Sequence, residues 1–239
     1  MVNSHVVPAP FTWDRYRYEL RKSIESSDIK EFKTWPTVNA CIYTRDSPSA
    51  IDEIKQLKAS DEWHRWRKID VIPVNGTLVH QAYSLWKWET FTGRRVEDLT
   101  GIAEFGAGYG EMANLCFSLG FDGTYYIYDF PELIEIQRYY IGDDSRVVYC
   151  NNADDWKGGD ADLLIALCSL SEAPIALRDK FLRSHQSHLV RYQDYFHDID
   201  NTRYFSEFAQ DLFAQDLNKQ IIFRCEHYTP HWYLLSEAI

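Results

Sequence analysis

The sequence has no basic excess. Its 36 acidic residues outnumber 25 Lys and Arg, giving a formal net charge of −11 at pH 7. Nucleic-acid binders usually show the opposite balance, so no nucleic-acid partner is expected. Long apolar runs are missing as well; none approaches the roughly 20 residues of a membrane span. The first residues, MVNSHVVPAP, lack the basic-then-apolar layout of a signal peptide. The cysteines Cys41, Cys116, Cys150, Cys168 and Cys225 are odd in number and scattered, with no C-x-x-C pair. That argues against a zinc knuckle or an iron–sulfur cluster. Four of them lie in apolar or strand-like runs, which reads as buried free thiols in a reducing cytoplasm. Internal repeats and low-complexity tracts are also absent.

What is present is 239 residues, 45% of them apolar, enough for one large domain or a domain with a helical appendage. Residues 1–98 read as helices and loops. SPSAIDEIKQLKASDEWHRWRKI starts at Ser47-Pro48 and spaces Ile51, Ile54, Leu57 and Trp66 roughly as a helix does. LVHQAYSLWKWETFTG reads as a second helix ending near Gly93. From residue 99, strand-like runs (GIAEFG, TYYIYDF, RVVYCN, ADLLIALCSL, SHLVRYQDYF) alternate with helical patterns. Such alternation predicts an α/β fold with crossover units and a mostly parallel sheet. QIIFRCEHY and HWYLLSEAI have no helix between them, only a turn around Thr229-Pro230. They are expected to form an antiparallel hairpin, giving seven strands with the last reversed. The expected organisation is an N-terminal helical cap over 1–98, supplying much of an acceptor site, and a cofactor-binding domain over 99–239.

The decapeptide IAEFGAGYGE, residues 102–111, places Gly106, Gly108 and Gly110 at alternate positions after the first strand. In such sheets ligands lie at the carboxyl ends of the strands. Glycine there admits positive φ and bares the backbone to a ligand. Glu111 stands where the dinucleotide fingerprint has its third glycine, and a carboxylate would repel a pyrophosphate. No Gly-Lys-Ser/Thr follows, which rules out a phosphate loop. A ligand with cationic groups and no phosphate suits the turn better, and S-adenosylmethionine is one. Glu104 is then placed to hold its amino group, and Asp129, ending the second strand, to accept from both ribose hydroxyls.

These segments, IAEFGAGYGEMANLCFSLG, YYIYDFPELIEIQRYYIG and DLLIALCSLSEAP, resemble the sugar O-methyltransferases of the Rossmann-like (class I) methyltransferases. The matching motifs are Glu104–Gly110, Asp129–Glu132 and Ser169–Glu172, and the likeness covers about residues 99–180. Ala107 stands where such proteins often have another glycine. The resemblance implies a seven-stranded methyltransferase sheet and S-adenosyl-L-methionine as cofactor, with S-adenosyl-L-homocysteine as product. It also implies a methyl transfer to a hydroxyl of a free glycan, polysaccharide end or nucleotide sugar. A small-molecule methyltransferase of natural-product type, and a binding protein without turnover, are the alternatives.

Further cofactor contacts are expected from Asn152 or Asp154 and the Ala153 amide at the adenine, and from Phe130 over its face. Tyr109 is expected at the methionine part, and Cys168 through its carbonyl. Polar-turn and core roles are the plainer alternatives for these residues. Activation of a hydroxyl needs a general base within hydrogen-bond reach. His197, followed by Asp198, is favoured at the end of the fifth strand, ahead of Glu172 after the fourth. Asp200, His227 and His231 are further candidates. Glu172 has two rival roles, orienting the sugar and capping the next helix. No resident metal is expected. WHRWRK, residues 63–68, could stack on sugar rings; core packing with a solvated basic face is the favoured reading. YSLWKWETF likewise reads as packing.

Overall fold

The computed structural model describes residues 12–67, 75–214, 218–225 and 231–238. The chain divides into two compact units, Met1–Ile42 and Tyr43–Ile239. The division does not coincide with the boundary expected at residue 98. The first unit holds helix α1 (Trp13–Ser26), a tight 3-10 turn (Ile29–Thr34) and the short α2 (Pro36–Asn39).

In the second unit, α3 (Pro48–Ala59) starts where Ser47 accepts from the Ala50 amide and Pro48 takes the first helical position. The expected continuation through WHRW breaks at Ser60 and resumes as the single turn α4 (Trp63–Trp66). Helix α5 (Gly76–Thr92) is capped by Asn75, whose carbonyl oxygen accepts from the Leu78 amide at 2.9 Å. Beyond it come β1 (Gly101–Phe105), α6 (Glu111–Leu119), β2 (Thr124–Tyr128), α7 (Pro131–Ile141), β3 (Val147–Cys150) and β4 (Leu163–Leu167). Then follow α8 (Ile175–Arg183), β5 (His188–Gln193), a two-stranded ribbon β6 (Tyr195–Phe196) and β7 (Ile199–Asp200), and α9 (Asn201–Ala214). The chain ends with β8 (Asn218–Arg224) and β9 (His231–Ala238).

The sheet order is β3-β2-β1-β4-β5-β9-β8. The first five strands are parallel neighbours, while β9 runs antiparallel to both β5 and β8. This is a mixed seven-stranded Rossmann-like sheet in which the last strand, β9, is reversed. The turn between β8 and β9, and His227 with it, lies outside the described residues. The β6–β7 ribbon was not legible in the sequence, and it shortens β5, which stops at Gln193.

Side chains alternate across the sheet, as the period of two requires. Ile102, Tyr125, Ile127, Leu163, Ile165, Leu189 and Tyr233 face one core, packed by α5 and α6 through Val79, Leu85, Trp88, Met112 and Cys116. Ala103, Phe105, Leu164, Ala166, Val190 and Leu234 face the other, packed by α8 and α9 through Phe181, Leu182, Phe205 and Phe208. The α5 helix is therefore a packing layer on one sheet face.

The tryptophans belong to that layer: Trp66 and Trp88 are fully buried, and Trp63 and Trp86 pack against the same core. Arg65 pairs with Glu89 at 2.6 Å and Glu97 at 2.5 Å, while Arg95 pairs with Glu62. Core packing, the favoured reading of WHRWRK and YSLWKWETF, is what the structure shows, beside an ion-pair network. The cysteine expectation needs correction, because only Cys116 and Cys225 are buried and Cys41 is exposed.

Candidate cofactor and acceptor site

The glycine turn leaves β1 at Phe105. Gly106, Gly108 and Gly110 all have positive φ, at +73°, +59° and +97°. Their surroundings differ. A Cβ on Gly106 would sit 2.3 Å from Ser169 Cβ, and one on Gly110 would sit 2.7 Å from Ile141 Cδ1. Only at Gly108 would a Cβ meet nothing within 4 Å. The protein's own packing thus requires two of the glycines, and Gly108 carries the face open to a ligand.

Two buried carboxyls flank that face. Glu104 is 3% exposed, and its Oε2 accepts from the Tyr125 hydroxyl at 2.8 Å. Burial pushes its pKa up to about 8, partly offset by the Tyr125 bond, and the Asp129 charge adds to the rise. Asp129 is 7% exposed. Its Oδ1 accepts from the Phe130 amide and its Oδ2 from Gln137 Nε2, both at 2.8 Å. Its pKa rises to about 7 because burial outweighs those bonds and the bonds from the Ala107 and Gly108 amides. Neither carboxyl has a cationic partner among the described residues.

Gln137, fully buried on α7, also donates to the Gly108 carbonyl at 2.8 Å. Its own Oε1 has no partner among the described residues. The sequence reading missed it. The available signal was a lone amide on the apolar face of PELIEIQRYYIG.

The other expected contacts fall in different settings. Tyr109 does not project from the turn. It is buried edge-on to Tyr140, and its hydroxyl accepts from Asn75 Nδ2 at 2.8 Å. Ala107 is buried in the turn, and Phe130, half-buried, is the N-cap of α7. Asn152 and Ala153 form a short turn after β3, where Asn152 is exposed and bonds to the Asp154 amide and to Asp155. The Cys168 carbonyl is engaged by Ser171, from its amide at 3.0 Å and its hydroxyl at 2.6 Å. Cys168 itself holds φ +77°, a strained value for a residue with a Cβ.

The Ser169–Glu172 stretch has a division of labour. Ser169 donates from its hydroxyl to the Phe105 carbonyl and so braces the end of β1. Glu172 reaches Gln193, the last residue of β5, at 3.5 Å. Burial lifts the Glu172 pKa to about 7 against the lowering charge of Arg178 and the bond from Gln193. Arg178, fully buried, donates to the carbonyls of Ser171 and Ala173 and to Asn201 Oδ1, fixing this loop. His231 pairs with Gln193 in register across β5 and β9. Glu172, Gln193 and His231 therefore meet at the strand ends.

His197 and Asp198 are placed differently. They form the exposed two-residue tip of the β6–β7 ribbon, with His197 at φ +49° and its ring against Phe196. Asp200 caps α9 through Thr202 and the Arg203 amide.

No protein-family model and no curated protein matches the chain. Solved structures resemble it in chain path at low identity. The methyltransferase domain of a bacterial Hen1 matches at 11% identity and TM-score 0.49, over 66% of this chain and 98% of that one. Human N-acetylserotonin methyltransferase, in complex with S-adenosylmethionine, matches at 12% and 0.43, over 94% and 66%. The fibrillarin pre-rRNA processing protein of Methanococcus jannaschii matches at 10% and 0.47, over 61% and 69%. Among the described residues no helix is long and apolar enough to cross a membrane.

Proposed function

We propose that this protein is an S-adenosylmethionine-dependent O-methyltransferase acting on a sugar hydroxyl. One observation carries the cofactor: two buried carboxyls without cationic partners flank the bare Gly108 backbone. A ligand bearing an ammonium, a sulfonium and a ribose diol fits the acceptors of such a cup and draws its carboxyls toward their ionised form. Glu104 would hold the amino group and Asp129 the ribose hydroxyls. Gly106, Ala107, Gly108 and Tyr109 would shape the turn. Phe130, Asn152, Ala153 and Cys168 would bound the adenine and methionine ends. When bound, the cofactor supplies an electrophilic methyl group, and the chain supplies alignment and exclusion of water.

The acceptor side is proposed at the ends of β4 and β5. Glu172, with Gln193 beside it, would hydrogen-bond the acceptor hydroxyls there. His197 and Asp198, at the ribbon tip, would meet the outer part of the acceptor. The Ser-x-Ser-Glu and Asp-x-Pro-Glu resemblances and the acidic net charge support a sugar over a nucleic acid. Of the cap expected over 1–98, residues 43–67 and 75–98 of the second unit are proposed to contribute to acceptor binding.

Calorimetry with S-adenosylhomocysteine, followed by methyl-transfer assays on nucleotide sugars, oligosaccharides, phenols and amines, tests the proposal. Tight NAD binding would overturn the cofactor. Transfer confined to phenols or amines would favour a natural-product enzyme, and cofactor binding without any transfer a non-catalytic protein.

A further inference from the structure

The edge strand β3 opens onto a cavity of about 330 Å³. Its walls include Tyr126 of β2, Arg138 of α7, Tyr149 of β3 and, in the loop that follows, Asp155, Trp156 and Lys157. None of the residues proposed above to bind cofactor or acceptor lines it. The acceptor itself is remote. Strands β2, β1 and β4 separate β3 from β5, which sets the two edges about 19 Å apart.

The backbone of β3 forms part of the lining. β3 pairs with β2 on one side only. The carbonyls of Arg146 and Cys150 accept from the Tyr125 and Asp129 amides at 2.8 and 3.1 Å. Alternate residues of a parallel pair face the partner, so residues 146, 148 and 150 turn toward β2, and the N–H and C=O of Tyr149 turn outward. The Val147 amide is already taken by the Asp144 carbonyl, at 3.1 Å. This open edge is too short to pair with an added strand, which favours a small ligand.

Two cations stand at the cavity without a carboxylate partner among the described residues. The Arg138 guanidinium lies 4.5 Å from the Tyr149 ring centre, a contact that leaves its N–H groups unbonded. Lys157 is exposed. The neighbouring acids are engaged with other groups: Asp144 with Arg146 at 2.5 Å, Asp154 with Lys180 at 3.1 Å, and Asp155 with the Asn152 side-chain amide at 3.0 Å. Asp143, exposed, stands beyond Tyr149.

We propose that this cavity is a second ligand site, for a small phosphate monoester of a heterocyclic ring, the chemistry of a nucleoside monophosphate. The phosphate is held by Arg138, whose planar fork matches two of its oxygens, and by Lys157 as a point charge. A phosphate monoester carries about −1.5 to −2 at neutral pH, so it satisfies both cations where a single carboxylate would satisfy one. The ring packs on Tyr126 and Trp156. The Tyr149 N–H and C=O offer a donor and an acceptor to the edge of a heterocycle, which a plain phenyl ring would not use. The volume suits one such molecule.

Uridine 5′-monophosphate is the probe, with uridine and inorganic phosphate as its two halves. In calorimetry it should bind one to one, with an affinity changed by less than about threefold when S-adenosylhomocysteine is present. Each half should bind at least about tenfold more weakly. Arg138→Gln and Lys157→Gln alter exposed side chains and should melt as the wild type does. Each should lower the affinity by about fivefold or more, and the double variant should bind the nucleotide no better than uridine. In amide spectra the nucleotide should shift the Tyr149 N–H. No binding at up to about 10 mM, or unchanged affinity in both variants, would overturn the site. Displacement by S-adenosylhomocysteine would assign the nucleotide to the cofactor cup and overturn it as well. Inorganic phosphate binding as tightly as the nucleotide would leave an anion site without a ring and overturn the ligand class. All of these outcomes leave the methyl-transfer reading standing, because they are read without turnover.

Discussion

The Gln137 carboxamide donates to Asp129 Oδ2 and to the Gly108 carbonyl, each at 2.8 Å. One buried side chain thus ties the proposed ribose acid to the bare face of the glycine turn. Replacing it by methionine keeps the bulk and removes both bonds. Gln137→Met should weaken S-adenosylhomocysteine binding by about tenfold, or about 1.4 kcal/mol, the scale of one or two lost hydrogen bonds. Calorimetry finding unchanged affinity would mean that Asp129 does not depend on this brace.

The three glycines should respond differently to alanine. Gly106→Ala and Gly110→Ala press a Cβ into Ser169 and Ile141, so both should lower the melting temperature strongly. Gly108→Ala meets no atom, and its cost is the left-handed backbone, about 1–2 kcal/mol. It should fold and yet lose cofactor affinity, because its methyl projects into the proposed ligand space. Thermal melts and calorimetry on the three variants separate these effects; full affinity in Gly108→Ala would remove the ligand from that face.

The carboxyls at the site make stability depend on pH. Glu104, Asp129 and Glu172 hold their protons in the folded chain up to about 8, 7 and 7, against ordinary values of 4.5, 3.8 and 4.5. Between those limits the folded state binds more protons than the unfolded state, so stability falls as pH rises. The loss is at most about 1.4 kcal/mol per pH unit for each group. The cofactor-free protein should therefore melt higher at about pH 6 than at about pH 8, with a flatter slope in Glu104→Gln. An ammonium-bearing ligand favours the ionised carboxyls, so its binding near pH 7 should release protons. Calorimetry in buffers of different ionisation enthalpy detects this, and no net release would contradict the pairing of Glu104 with the amino group.

Two proposed acceptor groups should separate in assays. Glu172→Gln should reduce kcat/KM for the acceptor by about ten- to a hundredfold, the loss of a charged hydrogen bond. His197→Ala, at an exposed ribbon tip, should change it by less than about threefold. A His197→Ala enzyme slowed by about 10²-fold or more would restore His197 as the base and require the ribbon to fold over the site.

Arg178 is the structural counterpart of Glu172. Arg178→Met would leave the Ser171 and Ala173 carbonyls and Asn201 Oδ1 without their donor. The loss should be about 3 kcal/mol or more in chemical denaturation. The Glu172 carboxyl should rise further once the neighbouring positive charge is gone. A variant as stable as the wild type would show that the loop after β4 holds its shape without the clamp.

The sequence by itself determined the architecture and placed the glycine turn and its flanking carboxyls at the strand ends. Period-two apolar runs, helical spacing and glycines at positive φ are properties of neighbouring residues. Phe105, Gly106, Gly108 and Asp129 could therefore be placed at strand ends before any fold was known. The reversal of β9 was legible too, because no helix separates the last two apolar runs. Tertiary structure alone decided where the residues expected at an acceptor stand. Trp63 and Trp66 look the same in a sequence whether they face solvent or core, and only the packing of α5 on the sheet fixed their place. His197 was drawn off the strand end by the β6–β7 ribbon, a pairing too short to leave a pattern. Glu53 of α3 and His80 of α5 share a hydrogen bond across 27 residues, and Gln137 lies a full helix away from the glycine turn. Buried polar groups must find partners wherever the fold brings them, and such long-range matches leave no local pattern in the chain.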